Sequence, residues 1–145
     1  MADSITQVES VEPSGGLLAA VDLGSNSFHL IVARLVDGHL AVVDRLREPV
    51  RLAGGLADDK NLTVEAREQA LQCLSRFGQR LRGFDASTVR AVGTNTLRSA
   101  RNGEEFRRQA ESKLGHRIEV IAGREEARLI YLGVAHALGG DRHRR

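Results

Sequence analysis

Leu17 to Leu23 is a near-continuous apolar run, LLAAVDL, broken only by Asp22 and followed by Gly24. A strand apolar on both faces is buried on both faces, which puts it at the centre of a sheet with cover on either side. Phe28 to Val36 reads as a second strand, Asp37-Gly38 is a strong hairpin signal, and Leu40 to Leu46 is the antiparallel partner. Glu48 to Leu56 reads as a further short strand ahead of the polar stretch Ala57 to Asn61.

Helical spacing takes over after Thr63, a suitable N-cap: Ala70, Leu71, Leu74, Phe77, Gly78 and Leu81 share a face until Gly83. Thr88 to Val92 is a short strand. Leu97 opens a helical stretch that is interrupted near Asn102-Gly103 and resumes through Phe106, Ala110 and Leu114 to Gly115, so two helical pieces are expected. Ile118 to Ala122 is another buried strand, and from Gly123 a last helix carries Ala127, Ile130, Tyr131, Val134 and Leu138 on one face as far as Gly139-Gly140. Strands separated by helices pair in parallel through right-handed crossovers, whereas the opening strands form an antiparallel meander. The order predicts an α/β fold: a mixed five-stranded sheet with helices on its faces, the ribonuclease H-like arrangement that actin-type proteins use twice and that occurs once here.

The 145 residues suffice for one domain with its own core. The expected division is a loose leader over 1–16, a folded lobe over 17–140 and a basic tail over 141–145. No apolar run approaches the roughly 20 residues of a membrane span, and the leader has neither the basic start nor the apolar block of a signal peptide. Cys73, the single cysteine, sits in the apolar face of the first long helix; this excludes an internal disulfide, suits a reducing cytoplasm and points to packing, not to a catalytic thiol. Lys60 and Lys113 are the only lysines, so positive charge is carried by arginine, whose planar fork suits phosphate. Nucleic-acid binding is disfavoured, because aromatics are 3% of the chain and no basic stripe alternates with them.

Three segments could carry chemistry. After the first strand, Asp22-Leu23-Gly24-Ser25-Asn26-Ser27 lets the backbone turn sharply and present N–H groups, two hydroxyls and an amide to an anion, with Asp22 placed to hold a metal-bound water. A plain tight turn with a self-satisfied Asp22 accounts for the same residues. After the fourth strand, Gly93-Thr94-Asn95-Thr96-Leu97-Arg98 opens a helix, where free N–H groups and Arg98 suit phosphate oxygens and ordinary capping is the simpler alternative. At the start of the last helix, Gly123-Arg124-Glu125-Glu126-Ala127-Arg128 holds two acids that a helix dipole favours anyway. All three lie at carboxyl ends of strands, where ligands of open α/β sheets gather, and a glutamate there could accept a proton from attacking water.

Taken together, AAVDLGSNSFHLIVAR, VGTNTLRSA and IEVIAGREEARLIYLGVAHAL resemble the exopolyphosphatase and guanosine pentaphosphate phosphohydrolase family, from about Leu18 to Leu138. The resemblance implies an actin-like two-lobed fold, polyphosphate or pppGpp in the cleft between lobes, water attack on phosphorus, and magnesium as cofactor. By the same resemblance Glu126 is the catalytic glutamate with Glu125 beside it. Asp22, Gly24, Ser25, Asn26 and Ser27 are then the first phosphate loop, with Asp22 the candidate metal contact, and Thr94, Asn95 and Arg98 face the substrate from across it.

One departure bears on activity. The family continues into a strand with a second phosphate loop, Asp-Ile-Gly-Gly-Gly-Ser, that opens the second lobe, whereas here Leu138 is followed by Gly139-Gly140-Asp141-Arg142-His143-Arg144-Arg145. A missing second lobe is therefore expected, with weak polyphosphate binding and little or no turnover by this chain alone. A homodimer is expected of the full-length protein, and a cytoplasmic location, with the inner-membrane periphery left open. The competing readings are the pppGpp phosphohydrolase of the same family, a non-catalytic polyphosphate-binding or regulatory fragment, and an actin-like nucleotide-dependent kinase lobe, which shares the first loop but does not call for the Glu125-Glu126-Ala127-Arg128 helix start.

Overall fold

The computed structural model describes residues 16–93 and 95–121. The opening run becomes β1 (Leu17–Leu23), followed by β2 (Ser27–Val36) and β3 (His39–Pro49) as an antiparallel meander. Asp37 and Gly38 form the hairpin with φ of 51° and 81°, the paired left-handed geometry that an Asp-Gly turn accepts most readily. β4 (Val89–Gly93) pairs with β1 in parallel and β5 (Glu119–Val120) pairs with β4 in parallel. The order β3-β2-β1-β4-β5 puts β1 at the centre, as its apolar run requires, and it is the ribonuclease H-like arrangement expected from the order of elements.

Between β3 and β4 lies α1 (Val64–Arg80), with the Thr63 hydroxyl accepting from the Ala66 N–H at 3.1 Å as an N-cap. Two helical pieces join β4 to β5: α2 (Asn95–Ser99) and α3 (Gly103–Leu114), the latter ended by Gly115 in the left-handed region at φ 85°. Leu74 and Phe77 of α1 and Phe106, Ala110 and Leu114 of α3 join Ala19, Val21, Leu23, Phe28 and Leu30 of the sheet in one buried core. α1 approaches α3 closely at Gly78, where a Cβ would lie 2.6 Å from the Lys113 carbonyl oxygen.

One expected element is replaced. Glu48 to Leu56 does not form a separate strand: β3 itself runs on to Pro49, and Ala53–Gly55 is a single 3-10 turn. Val50 and Leu52 are only 3% and 1% exposed, and the Val50 and Ala53 N–H groups donate to the carbonyls of Asn26 and Ser25 at 3.1 Å. Core burial and the hairpin turn thus consume the groups a further strand would have needed. Gly55 fits because a Cβ there would come within 2.3 Å of the Ala66 Cβ. Of the strand expected over Ile118 to Ala122, Glu119–Val120 is paired in the sheet and the Ile121 N–H donates to the Gly93 carbonyl at 2.9 Å. Ala122, the expected last helix, the basic tail and leader residues 1–15 lie outside the described residues.

Candidate functional site

The turn between β1 and β2 is closed by the Gly24 N–H donating to the Ser27 carbonyl at 3.1 Å. A Cβ on Gly24 would sit 2.9 Å from that same oxygen, so the turn can be this tight only with glycine. Ser25 and Asn26 form its tip, and their carbonyls are engaged from behind by Ala53 and Val50. The tip is therefore braced by the main chain, which suits a rigid anion cradle.

β1 and β4 run in parallel with Asp22 beside Val92 and Leu23 beside Gly93, so the first and second sequence segments leave the sheet side by side. Leu97 folds back over Gly93, where a Cβ would lie 2.4 Å from Leu97 Cδ1. Thr96 is consequently carried under the turn: it is 7% exposed and its Oγ1 lies 3.0 Å from Ser25 Oγ, a hydrogen bond between two segments that composition and spacing could not join. Arg98, two residues on, is exposed. α2 is five residues long, so its dipole is slight and Arg98 supplies the fixed charge there.

Asp22 is half-buried, opposite His29 on β2 and beside Val92 on β4. His29 Nε2 lies 3.1 Å from Ser27 Oγ and pairs in register with Arg47 of β3. One row across the sheet end thus reads Val92, Asp22, His29, Arg47. Of the residues expected at the site, the structure brings together Asp22, Gly24, Ser25, Asn26, Ser27 and the Asn95–Ser99 helix with Arg98. Thr94, Glu125 and Glu126 lie outside the described residues, and Ile121 marks where the third segment begins, tied to the end of β4. Thr96 and His29 were not singled out by the sequence, since a Thr in a capping stretch and a His in an alternating strand carry no signal until the register is known.

Cys73 is fully buried, and burial together with the neighbouring Glu48 carboxylate pushes its thiol up to about 12. It is a core residue and not a nucleophile. An open cavity of about 430 Å³, lined in part by Gln79, Arg82, Phe84, Lys113 and His116, lies at the ends of α1 and α3 that lead into the amino ends of β4 and β5. It lies toward the opposite end of the strands from the turn. Among the described residues no three His, Cys, Asp or Glu side chains converge as a metal cluster, and no described helix is long and apolar enough to cross a membrane.

The fold and these loops define a ribonuclease H-like lobe with a tight, main-chain-braced turn at the carboxyl end of its central strand. The chain belongs to the Ppx/GppA phosphatase family, whose model matches residues 31–144. A Ppx/GppA family member from Aquifex aeolicus is 30% identical with a TM-score of 0.71, over 84% of this chain and 40% of that one. An exopolyphosphatase from Cytophaga hutchinsonii is 30% identical with a TM-score of 0.70, over 81% of this chain and 38% of that one. The chain thus spans about 40% of the length of the solved relatives it matches.

Proposed function

We propose that this chain is the phosphate-cradling amino-terminal lobe of an exopolyphosphatase, acting on the terminal phosphate of inorganic polyphosphate. The observation that carries the reading is the Ser25–Thr96 hydrogen bond, which makes one braced site out of two separate motifs beside Asp22 and Arg98. Phosphoryl transfer needs positioned donors and positive charge more than covalent help, and the turn backbone, Ser25, Asn26, Ser27 and Arg98 supply both. Thr94 and Asn95 are proposed as further contacts from the segment after β4. In the hydrolytic step, Glu126 takes a proton of a water whose oxygen forms a bond to the terminal phosphorus, the bond from that phosphorus to the bridging oxygen breaks, and the shortened chain leaves with that oxygen; Glu125 is the preceding residue in sequence.

Magnesium fits the donor set. Asp22 is a half-buried carboxylate at the end of β1, just ahead in sequence of the Ser25 and Ser27 hydroxyls and the Asn26 amide, and magnesium takes oxygen ligands, keeping one or two carboxylates with substrate phosphates and water. Bound there, the ion would neutralise phosphate charge. A cytoplasmic setting is proposed on the single buried free thiol.

The pppGpp phosphohydrolase reading uses the same residues, and the family description carries both names, Ppx and GppA. Titration of this chain with long-chain polyphosphate, pppGpp and ATP, with magnesium, separates them. Tighter binding of polyphosphate than of pppGpp by about tenfold supports the exopolyphosphatase, and the reverse order supports the second reading. Binding of ATP alone would sink both. Because the chain covers 40% of the Aquifex relative, weak binding and little turnover are expected of it by itself, and Glu126→Gln should remove any phosphate release while leaving binding in place.

A further inference from the structure

Residues 50–53, between β3 and α1, bring a second arginine to the turn. The Val50 and Ala53 N–H groups donate to the Asn26 and Ser25 carbonyls at 3.1 Å, and the Leu52 N–H donates back to the Val50 carbonyl at 3.1 Å. Arg51 is therefore the apex of a three-residue turn laced on both sides to the tip of the phosphate cradle. Val50 and Leu52 anchor that apex in the core at 3% and 1% exposure, while Arg51 itself is exposed. Among the described residues Arg51 makes no ion pair. Glu48, three positions before it, is held by Arg76 at 2.5 Å, and Asp59 is bonded to the Asn61 amide at 2.9 Å.

The sheet order gives this position its meaning. Arg98 follows β4, on one side of β1, whereas Arg51 follows β3, on the side of β2. Among the described residues neither guanidinium is paired, and the two stand on opposite sides of one turn. A single phosphate in the turn needs only one of them, whereas a linear anion can meet both. The anchors fix the main chain before any ligand arrives, so only the arginine side chain has to be ordered on binding.

We propose that Arg51 is a further anion contact that binds the second or a later phosphate of a linear phosphate polymer whose terminal phosphate lies in the Ser25–Asn26 turn. It makes the site selective for several consecutive phosphates over one. The proposal rests on the reading of the turn as a phosphate cradle. The planar fork matters beyond the charge, so lysine replaces it only in part.

The test is calorimetric titration of the 145-residue chain and its Arg51→Ala, Arg51→Lys, Ser25→Ala and Arg82→Ala forms with inorganic phosphate, tripolyphosphate and long-chain polyphosphate. Arg51→Ala is expected to weaken tripolyphosphate and long-chain binding about five- to tenfold and inorganic phosphate less than about twofold, as befits loss of one charge-assisted contact. Arg51→Lys should fall between, and Arg82→Ala, in the cavity toward the far end of the strands, should change nothing. Equal losses for Arg51→Ala and Arg82→Ala would overturn the proposal by showing a general charge effect. Unchanged chain-length preference in Arg51→Ala, with Ser25→Ala weakened for every ligand, would overturn it and leave the cradle standing. If the unaltered chain binds none of the three anions, the cradle falls and Arg51 with it.

Discussion

The Ser25 and Thr96 hydroxyls stand 3.0 Å apart although 71 positions separate them in the chain. Their bond is possible because β1 and β4 are parallel neighbours whose last paired residues are Leu23 and Gly93. Thr96→Val removes a partner in a largely buried place, and a loss of about 1 kcal/mol in unfolding free energy is expected, with Thr96→Ser retaining most of it. Denaturant unfolding of Thr96→Val, Ser25→Ala and the double variant should give a coupling of about 0.5–1.5 kcal/mol. Additive losses would show that the two hydroxyls do not support each other.

Gly78 is the point where α1 touches α3. An added Cβ would meet backbone oxygens of Lys113 at 2.6 Å and Leu114 at 2.9 Å, neither of which can swing aside. Gly78→Ala gains up to about 1 kcal/mol of helix propensity but forces the helices apart, at about 1–3 kcal/mol. Net destabilisation is expected in thermal melts. A raised melting temperature would mean that the helix pair separates freely.

Asn102 staples the loop ahead of α1 to the start of α3. Its Oδ1 accepts from the Leu62 N–H at 2.8 Å and its Nδ2 donates to the Leu62 carbonyl at 3.2 Å. Asn102→Ala leaves both Leu62 groups without that partner, and a loss of about 1–3 kcal/mol is expected. Amide exchange at Leu62 should speed up more than at Phe77 in the α1 core. Equal acceleration at both positions would show that the staple matters only through global stability.

His116 is a group whose folded pKa lies below its ordinary 6.5, chiefly because burial disfavours the imidazolium, partly opposed by a hydrogen bond to the Leu81 backbone. The unfolded chain therefore takes up a proton at a higher pH than the folded one. Stability from this site is fully present above the unfolded pKa and falls as pH drops from about 6.5 towards the lower folded value. His116→Gln should flatten that part of the profile. Glu48 and Glu119, held below the usual carboxylate range by Arg76 and Arg90, add a separate loss at more acid pH, below about 4.5. A melting-temperature profile of the His116→Gln form identical to that of the parent between pH 5 and 7 would contradict the assignment.

Much of the fold was legible in the chain because burial writes itself into local periodicity. The unbroken apolar run of β1, the Asp37-Gly38 turn, the Thr63 cap and the stop at Gly115 each follow from neighbours in sequence. The stretch after Pro49 carries the alternation of a half-buried strand, with Val50 and Leu52 either side of polar Arg51, and is not one. Alternation cannot say where the main-chain N–H groups go, and here they go to Ser25 and Asn26. In the candidate site, Gly24, Ser25, Asn26 and Arg98 were visible as residue types suited to phosphate, while Thr96, His29 and Arg51 were not, since each acquires its role from a neighbour in space.

By itself the sequence determined the class of fold, the central place of β1 and the residue types suited to an anion, because hydrophobic period, turn chemistry and charge are properties of short stretches. Only the tertiary structure decided that the turn at Ser25 would be bonded to Thr96, backed by Val50 and Ala53, and flanked by Arg51 and Arg98. Those relationships depend on the register of parallel and antiparallel pairs across the sheet. Register between strands far apart in sequence is settled by how both pack on the core, and neither segment alone shows which residues of the other it will meet.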